Sequence, residues 1–194
     1  MILLIDHQDS FTRNLEHLLT NFDQVRVIDR KKISQSNIDE AKMIVLSPGP
    51  GKPDDYPETK ALYNSLKKKP VLGICLGFQL MLQEEGGKIS RQTQVLHGVE
   101  TDIEVIPDSH TYRKINKPLR IGRYHSLQVD PVSIASLKPS ISITARDPLR
   151  NTPLSFEDLQ RKLFGLQYHP ESFLTNSGKQ IIQNIHHACV GKIG

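Results

Sequence analysis

The chain opens on a continuous apolar run, MILLI (residues 1–5), the pattern of a strand buried on both faces of a parallel sheet. Asp9 or Ser10 can then cap a helix whose apolar positions Phe11, Leu15, Leu18, Leu19 and Phe22 recur at the 3.6-residue period. VRVI (25–28) and MIVLS (43–47) read as further strands. After the Pro/Gly-rich SPGPGKP, residues 57–68 are expected to be helical, with Ala61, Leu62 and Leu66 on one face. VLGI (71–74) is the next strand, and FQLMLQEE (78–85) the helix behind it, stopped at Gly86-Gly87.

The second half changes character. VETDIEVIP (99–107), LRIGRYHSLQV (119–129) and SISITAR (140–146) read as strands with no helices between them, an antiparallel addition. LFGLQYH (163–169) returns to a buried-strand pattern, and residues 177–190 form an amphipathic helix. The expectation is an α/β fold, a mainly parallel central sheet flanked by helices, with an antiparallel strand addition. No internal repeat, low-complexity tract or linker divides the chain, so residues 1–194 read as a single domain.

Composition narrows the class. Hydrophobic residues make up 37% and charged residues 24%, which excludes disorder. The N-terminal apolar run ends at Asp6, too soon for a signal-peptide core or a membrane span, so a cytoplasmic location and no membrane partner are expected. A net charge of +4 is modest, and the basic clusters RKK (30–32) and KKK (67–69) carry no interleaved aromatics. They read as solvated residues, and no nucleic-acid partner is expected. The two cysteines, Cys75 and Cys189, lie 114 positions apart, and a disulfide is not expected. Cys189 falls in the helical pattern of Ile181, Ile182 and Ile185 and reads as a packed thiol. None of the eight histidines has the i,i+4 spacing of a helical metal site, and no metal is expected.

Chemistry concentrates at GICLGFQ (73–79). Gly73 and Gly77 flank Cys75 by two positions between a strand and a helix, as in a nucleophile elbow with sulfur in place of oxygen. Small residues there leave room for a strained turn, and the following helix aims its N–H groups at the sulfur. The Leu76 N–H is then placed to receive an oxyanion. The alternative is a packed cysteine with glycines for close helix–strand contact. A base is available in YHPES (168–172), where His169 ends the last strand with Glu171 two residues on. A parallel sheet gathers its strands' C-terminal ends along one edge, so Cys75 and His169 can meet across 94 positions.

Together these pieces resemble the class I (triad) glutamine amidotransferases, of flavodoxin-like fold. The family's G-x-C-x-G-x-Q is matched by Gly73, Cys75, Gly77 and Gln79, and its H-P-E by His169, Pro170 and Glu171. SPGPG (47–51) resembles the oxyanion-hole loop, and RYHSL (123–127) the segment whose Ser-Leu backbone holds glutamine's amino-acid end. DHQDSFTRNL (6–15) and HPESFLTNSGKQII (169–182) resemble the opening and ending of subunits serving anthranilate and aminodeoxychorismate synthases. Departures from that branch are Phe78 where His is common, His7-Gln8 for Asn-Tyr, Arg13 for Tyr, and Val99 for Lys.

The resemblance implies hydrolysis of L-glutamine by Cys75, His169 and Glu171. It places Leu76 and Gly51 in the oxyanion hole, and Gly49, Pro50, Gly51, Gln79, Ser126 and Leu127 around the substrate. It further implies no cofactor in this chain, a partner that is a chorismate-binding synthase subunit, and Mg2+ in that partner. Small size and the absence of fused domains lean toward aminodeoxychorismate over anthranilate as the product. Two other readings stand beside it: hydrolysis of γ-glutamyl or other bonds by a thiol hydrolase of the same fold, and a non-catalytic regulatory subunit.

Overall fold

A computed structural model describes residues 1–66 and 68–191. Lys67, within the basic run and the helix expected over 57–68, lies outside the described residues. The first half alternates as its periodicity requires: β1 (Ile2–Asp6), α1 (Thr12–Leu19), β2 (Val25–Asp29), α2 (Gln35–Glu40), β3 (Met43–Leu46), α3 (Pro57–Ser65), β4 (Val71–Ile74) and α4 (Leu76–Glu84). The second half is strand-rich: β5 (Ile89–Arg91), β6 (Val99–Asp102), β7 (Glu104–Val105), β8 (Arg120–Arg123), β9 (Leu127–Val129), β10 (Ser142–Arg146), β11 (Pro153–Asp158) and β12 (Leu163–Leu166), then α5 (Gly178–Val190).

Eight strands form one sheet in the order β2-β1-β3-β4-β12-β11-β10-β7. The pairs from β2 through β12 are parallel, and those from β12 outward to β7 are antiparallel. Alternation along β1 divides the core: Ile2 and Leu4 pack with Leu15 and Leu19 of α1 and Ile181, Ile182 and Ile185 of α5. Leu3 and Ile5 face the other way, into a cluster with Tyr63, Phe78 and Met81 of α3 and α4. Two small antiparallel pairs, β5–β9 and β6–β8, sit outside the main sheet.

Several boundaries differ from the sequence reading. Each long segment expected at 99–107 and 119–129 is broken into two strands that pair with different partners. A continuous apolar pattern does not reveal where a chain changes sheets. Neither Asp9 nor Ser10 caps α1; Phe11 holds that position without a side-chain bond. Asp9 instead accepts from the Phe11 N–H at 2.8 Å, bending the loop just before the helix. Helix α3 buries Thr59 and Tyr63, whereas Ala61 is exposed. Strand β11 is buried at all six positions, yet PLSFED ends in two carboxylates that hide its pattern. Glu157 is buried because it accepts from the His110 N–H (3.1 Å) and from the Thr111 N–H (3.1 Å) and hydroxyl (2.9 Å). Among the described residues no helix is long and apolar enough to cross a membrane.

The core assignment is open to test. Ile185→Ala, at a fully buried position on α5, should lower the unfolding free energy in urea by about 2–5 kcal/mol. Leu149→Ala, at an 88% exposed position, should leave it within about 0.5 kcal/mol.

Candidate active site

Strands β4 and β12 are direct neighbours, with Gly73 opposite Gly165 and Ile74 opposite Leu166. The Cys75 N–H continues that ladder one step beyond β4, donating to the Leu166 carbonyl at 2.8 Å. There the chain turns sharply: Cys75 has φ 51° and ψ −97°, a region that costs a non-glycine residue of order 1–3 kcal/mol. The flanking glycines make the turn possible. A Cβ on Gly73 would lie 2.5 Å from the Gly77 carbonyl carbon, and one on Gly77 would lie 2.5 Å from the Leu46 carbonyl oxygen. Helix α4 begins at the next residue, Leu76, so its free N–H groups and positive dipole end face the Cys75 region.

His169 lies three residues past β12 and is only 2% exposed. Its Nδ1 is 2.7 Å from Glu171 Oε1, which leaves Nε2 for the Cys75 thiol. Burial opposes charging the ring, but hydrogen bonds to Cys75 and Glu171, with their negative charge, outweigh it and push the imidazole pKa up to about 10. The ring is boxed in by Phe11, at 4.8 Å between centroids, and by Tyr124 at 5.1 Å. Sequence reasoning placed Phe11 only in the core pattern of α1 and gave Tyr124 no role.

The Pro/Gly loop is fixed from below by His7, 1% exposed. Its backbone N–H donates to Ser47 Oγ at 2.9 Å, and Ser47 passes its own proton to the Pro48 carbonyl at 2.7 Å. With that hydroxyl hydrogen committed, His7 Nδ1–H donates to the same oxygen at 3.1 Å, and Nε2 accepts from Thr59 at 3.2 Å. Burial, helped by Arg30, lowers the His7 pKa to about 4, so the ring stays neutral. The Tyr56 hydroxyl donates to the Pro50 carbonyl at 2.6 Å. Gly49 packs against Leu76 and His7.

Across from this loop, a cavity of about 660 Å³ is lined by Gly51, Asp54, Gln83, Arg91, Ser126 and Leu127. The RYHSL segment on its far wall is anchored by charge. Arg123, fully buried, pairs with Asp147 at 2.6 Å and donates from Nε to His125 Nε2 at 3.1 Å. Because a guanidinium can only donate, His125 Nε2 must accept, and Nδ1–H donates to the Leu127 carbonyl at 2.7 Å. Burial and Arg123 push the His125 pKa down to about 3, so the ring stays neutral. Gln79, 3% exposed, donates to the same carbonyl at 3.2 Å.

The structure thus gathers Cys75, Leu76, His169 and Glu171 at the ends of β4 and β12, with Gln79 on α4 bonded to Leu127. Gly51, Ser126 and Leu127 line the adjoining cavity, and Gly49 and Pro50 form the braced loop beside it. Cys189, which sequence set aside, is buried on α5, where desolvation raises its thiol pKa to about 12. Among the described residues no group of three His, Cys, Asp or Glu side chains is arranged to hold a metal ion. Residues to which the sequence gave no role of their own are Arg123 and His125 within RYHSL, together with Asp147 and Gln167. The clearest signal for them was a charged residue inside a buried strand, Arg123 in LRIGRYHSLQV.

Comparison with known proteins identifies the family. The family model described as "Glutamine amidotransferase class-I" matches residues 3–189. The chain belongs to the class-I glutamine amidotransferases. Within them its relatives are the component-2 subunits of two synthases. It is 36% identical over 191 residues to aminodeoxychorismate synthase component 2 of Escherichia coli, covering 96% of this chain and 100% of that one. Its identity to anthranilate synthase component 2 of Lactococcus lactis is 34% over 186 residues, covering 95% and 92%. A Bacillus subtilis relative, 34% identical over 195 residues and covering 95% and 94%, is named as aminodeoxychorismate/anthranilate synthase component 2. Among solved structures, a glutamine amidotransferase from Thermotoga maritima superposes with a TM-score of 0.75 at 17% identity, covering 98% of each chain. That last likeness supports the α/β fold. Small size does not separate the two products, because the anthranilate relative is matched over nearly its whole length.

Removal of either partner should move the His169 titration. In Glu171→Gln, and separately in Cys75→Ala, the imidazole loses a group that favours its charged form. Its midpoint, followed by the ring proton shifts in NMR, should fall from about 10 toward the ordinary value of about 6.5. A midpoint that stays put in both variants would contradict the arrangement.

Proposed function

We propose that this chain is the glutaminase subunit of a chorismate-using synthase, hydrolysing L-glutamine to glutamate and ammonia and passing the ammonia to its partner. The observation that carries the reading is the elbow-held Cys75 beside an imidazole braced by Glu171 at 2.7 Å. With its pKa pushed up to about 10, His169 is charged at neutral pH, and a positive charge beside a thiol favours the thiolate as the attacking form. Cys75 sulfur attacks the carboxamide carbon, and the negative charge moves onto the former carbonyl oxygen. The N–H groups of Leu76 and Gly51 receive that oxyanion; loss of one such donor typically costs about 2.7–4 kcal/mol of barrier. His169 gives its proton to the departing nitrogen, which leaves as ammonia. The now neutral ring takes a proton from water, which cleaves the γ-glutamyl thioester and restores the thiolate. Glu171 holds the ring and favours its charged state.

The substrate's amino-acid end is assigned to the cavity lined by Gly51, Ser126 and Leu127, with Gln79 bonded to the Leu127 carbonyl and Gly49 and Pro50 in the loop that carries Gly51. The whole chain acts as one amidotransferase domain, a reading supported by the single main sheet and by the match over residues 3–189. A thiolate nucleophile needs a reducing compartment, so we place the protein in the cytoplasm. The partner is a chorismate-binding component, as the names of its relatives suggest. That component performs the chorismate chemistry and therefore sets whether anthranilate or aminodeoxychorismate is made.

Cys75→Ala tests the assignment. Glutamine-dependent product formation by the purified pair should fall at least about a thousandfold. Synthesis from added ammonium salt should continue at the unaltered rate, because the partner's site is untouched. Glutaminase activity retained in Cys75→Ala would remove Cys75 as nucleophile.

A further inference from the structure

Beside the triad lies a residue that neither sequence motif includes. Gln167 follows β12 directly and is fully buried. Its backbone is fixed by an N–H bond to the Leu154 carbonyl at 2.9 Å. Alternation along the extended chain turns Gln167 and His169 to one side and Tyr168 to the other, where its hydroxyl lies 2.9 Å from that of Tyr112. Gln167 Nε2 is 3.8 Å from Cys75 Sγ, within the longer reach of a sulfur acceptor.

The orientation of this amide follows from its neighbours. The Leu127 carbonyl can only accept, so Gln79 must turn its NH2 toward it, at 3.2 Å. The second hydrogen of that NH2 is donated to Gln167 Oε1 at 3.0 Å. Gln167 therefore presents oxygen to Gln79 and NH2 to the sulfur. The Leu127 carbonyl also accepts from His125 Nδ1–H at 2.7 Å, and His125 Nε2 accepts from Arg123, itself paired with Asp147; the Gln92 amide nitrogen lies 2.6 Å from the same Nδ1. A continuous path of hydrogen bonds, converging from both sides on the Leu127 carbonyl, joins a buried ion pair to the candidate nucleophile.

We propose that Gln167 is a further catalytic residue, whose side-chain N–H hydrogen-bonds the Cys75 sulfur and stabilises its thiolate, with Gln79 holding the amide in the donating orientation. The inference rests on the reading of Cys75 as nucleophile. A hydrogen bond to a charged acceptor favours the charged form. Gln167 would thus share with His169 the task of keeping the sulfur ionised before it attacks and as it leaves the thioester. Gln79, bonded to the Leu127 carbonyl on the cavity wall, links that effect to the substrate pocket.

The test is the pH dependence of Cys75 alkylation by iodoacetamide. Gln167→Met keeps the volume and removes the donor; Gln167→Glu keeps the shape and replaces the donor with an acceptor. The alkylation midpoint should rise by about one pH unit in Gln167→Met and further in Gln167→Glu, with kcat/KM for glutamine falling about tenfold or more. In the unsubstituted protein, the Gln167 side-chain 15N–1H resonances should titrate with that same midpoint and lose the titration once Cys75 is alkylated. The NMR measurement needs no variant to fold. An unchanged midpoint in either folded variant, or Gln167 resonances indifferent to Cys75 ionisation, overturns the proposal and leaves Gln167 as core filler. Failure of the nucleophile reading looks different: Cys75→Ala would retain glutaminase activity whatever Gln167 does to the thiol titration.

Discussion

Everything at the site depends on the parallel pairing of β4 with β12. These strands lie far apart along the chain, yet their register sets Gly73 against Gly165 and lets the Cys75 N–H reach the Leu166 carbonyl at 2.8 Å. One hydrogen bond beyond the ladder ties the elbow to the strand that delivers Gln167 and His169. A parallel sheet brings its strands' C-terminal ends to one edge, so the register also sets the direction from which the imidazole approaches. A slip of one residue would turn His169 away from the sulfur and move Gly165 out from against the Phe156 and Phe78 rings.

Around that pairing the structure fixes polar groups by leaving each with a single role. Arg123 can only donate, the Leu127 carbonyl can only accept, and the groups between them inherit their orientation. The same logic operates at the Pro/Gly loop, where the Ser47 hydroxyl commits its proton to Pro48 and must accept from His7. Burial strengthens these bonds and makes an unpaired member costly. The loops flanking the cavity are thereby positioned without regular secondary structure of their own. A buried pair such as Arg123–Asp147 contributes little net stability compared with apolar packing, and its structural effect here is to orient the RYHSL segment.

The branch departures resolve in physical terms. Phe78, where histidine is common, is fully buried on α4 and packs on Phe156 at 5.8 Å between ring centroids. With Phe156 it limits Gly165 to glycine, since a Cβ there would lie 2.2 Å from the Phe156 ring and 2.9 Å from that of Phe78. Phe78 is core, on the face of the sheet shared by α3 and α4. His7 braces the Pro/Gly loop. Arg13 lies on the exposed face of α1, paired with Glu16, and Val99 is 38% exposed at the start of β6. Gln8 is exposed, carries a positive φ of 63°, and its side-chain amide donates to Asp29 at 3.4 Å.

The sequence by itself determined the alternating first half, because a buried strand and an amphipathic helix each leave a period that needs no partner to be read. It also marked Cys75 and His169-Pro170-Glu171, since the elbow and the His–Glu pair are local geometry written in consecutive residues. Tertiary structure alone decided which strands are neighbours, where 99–107 and 119–129 break between sheets, and that the carboxylate-bearing PLSFED is buried. It alone brought Arg123, His125, Asp147, Gln79 and Gln167 into one hydrogen-bonded path. Those residues are polar, scattered over 89 positions, and without any shared period. Their common arrangement exists only where the folded backbone removes water and brings them within hydrogen-bond reach of one another.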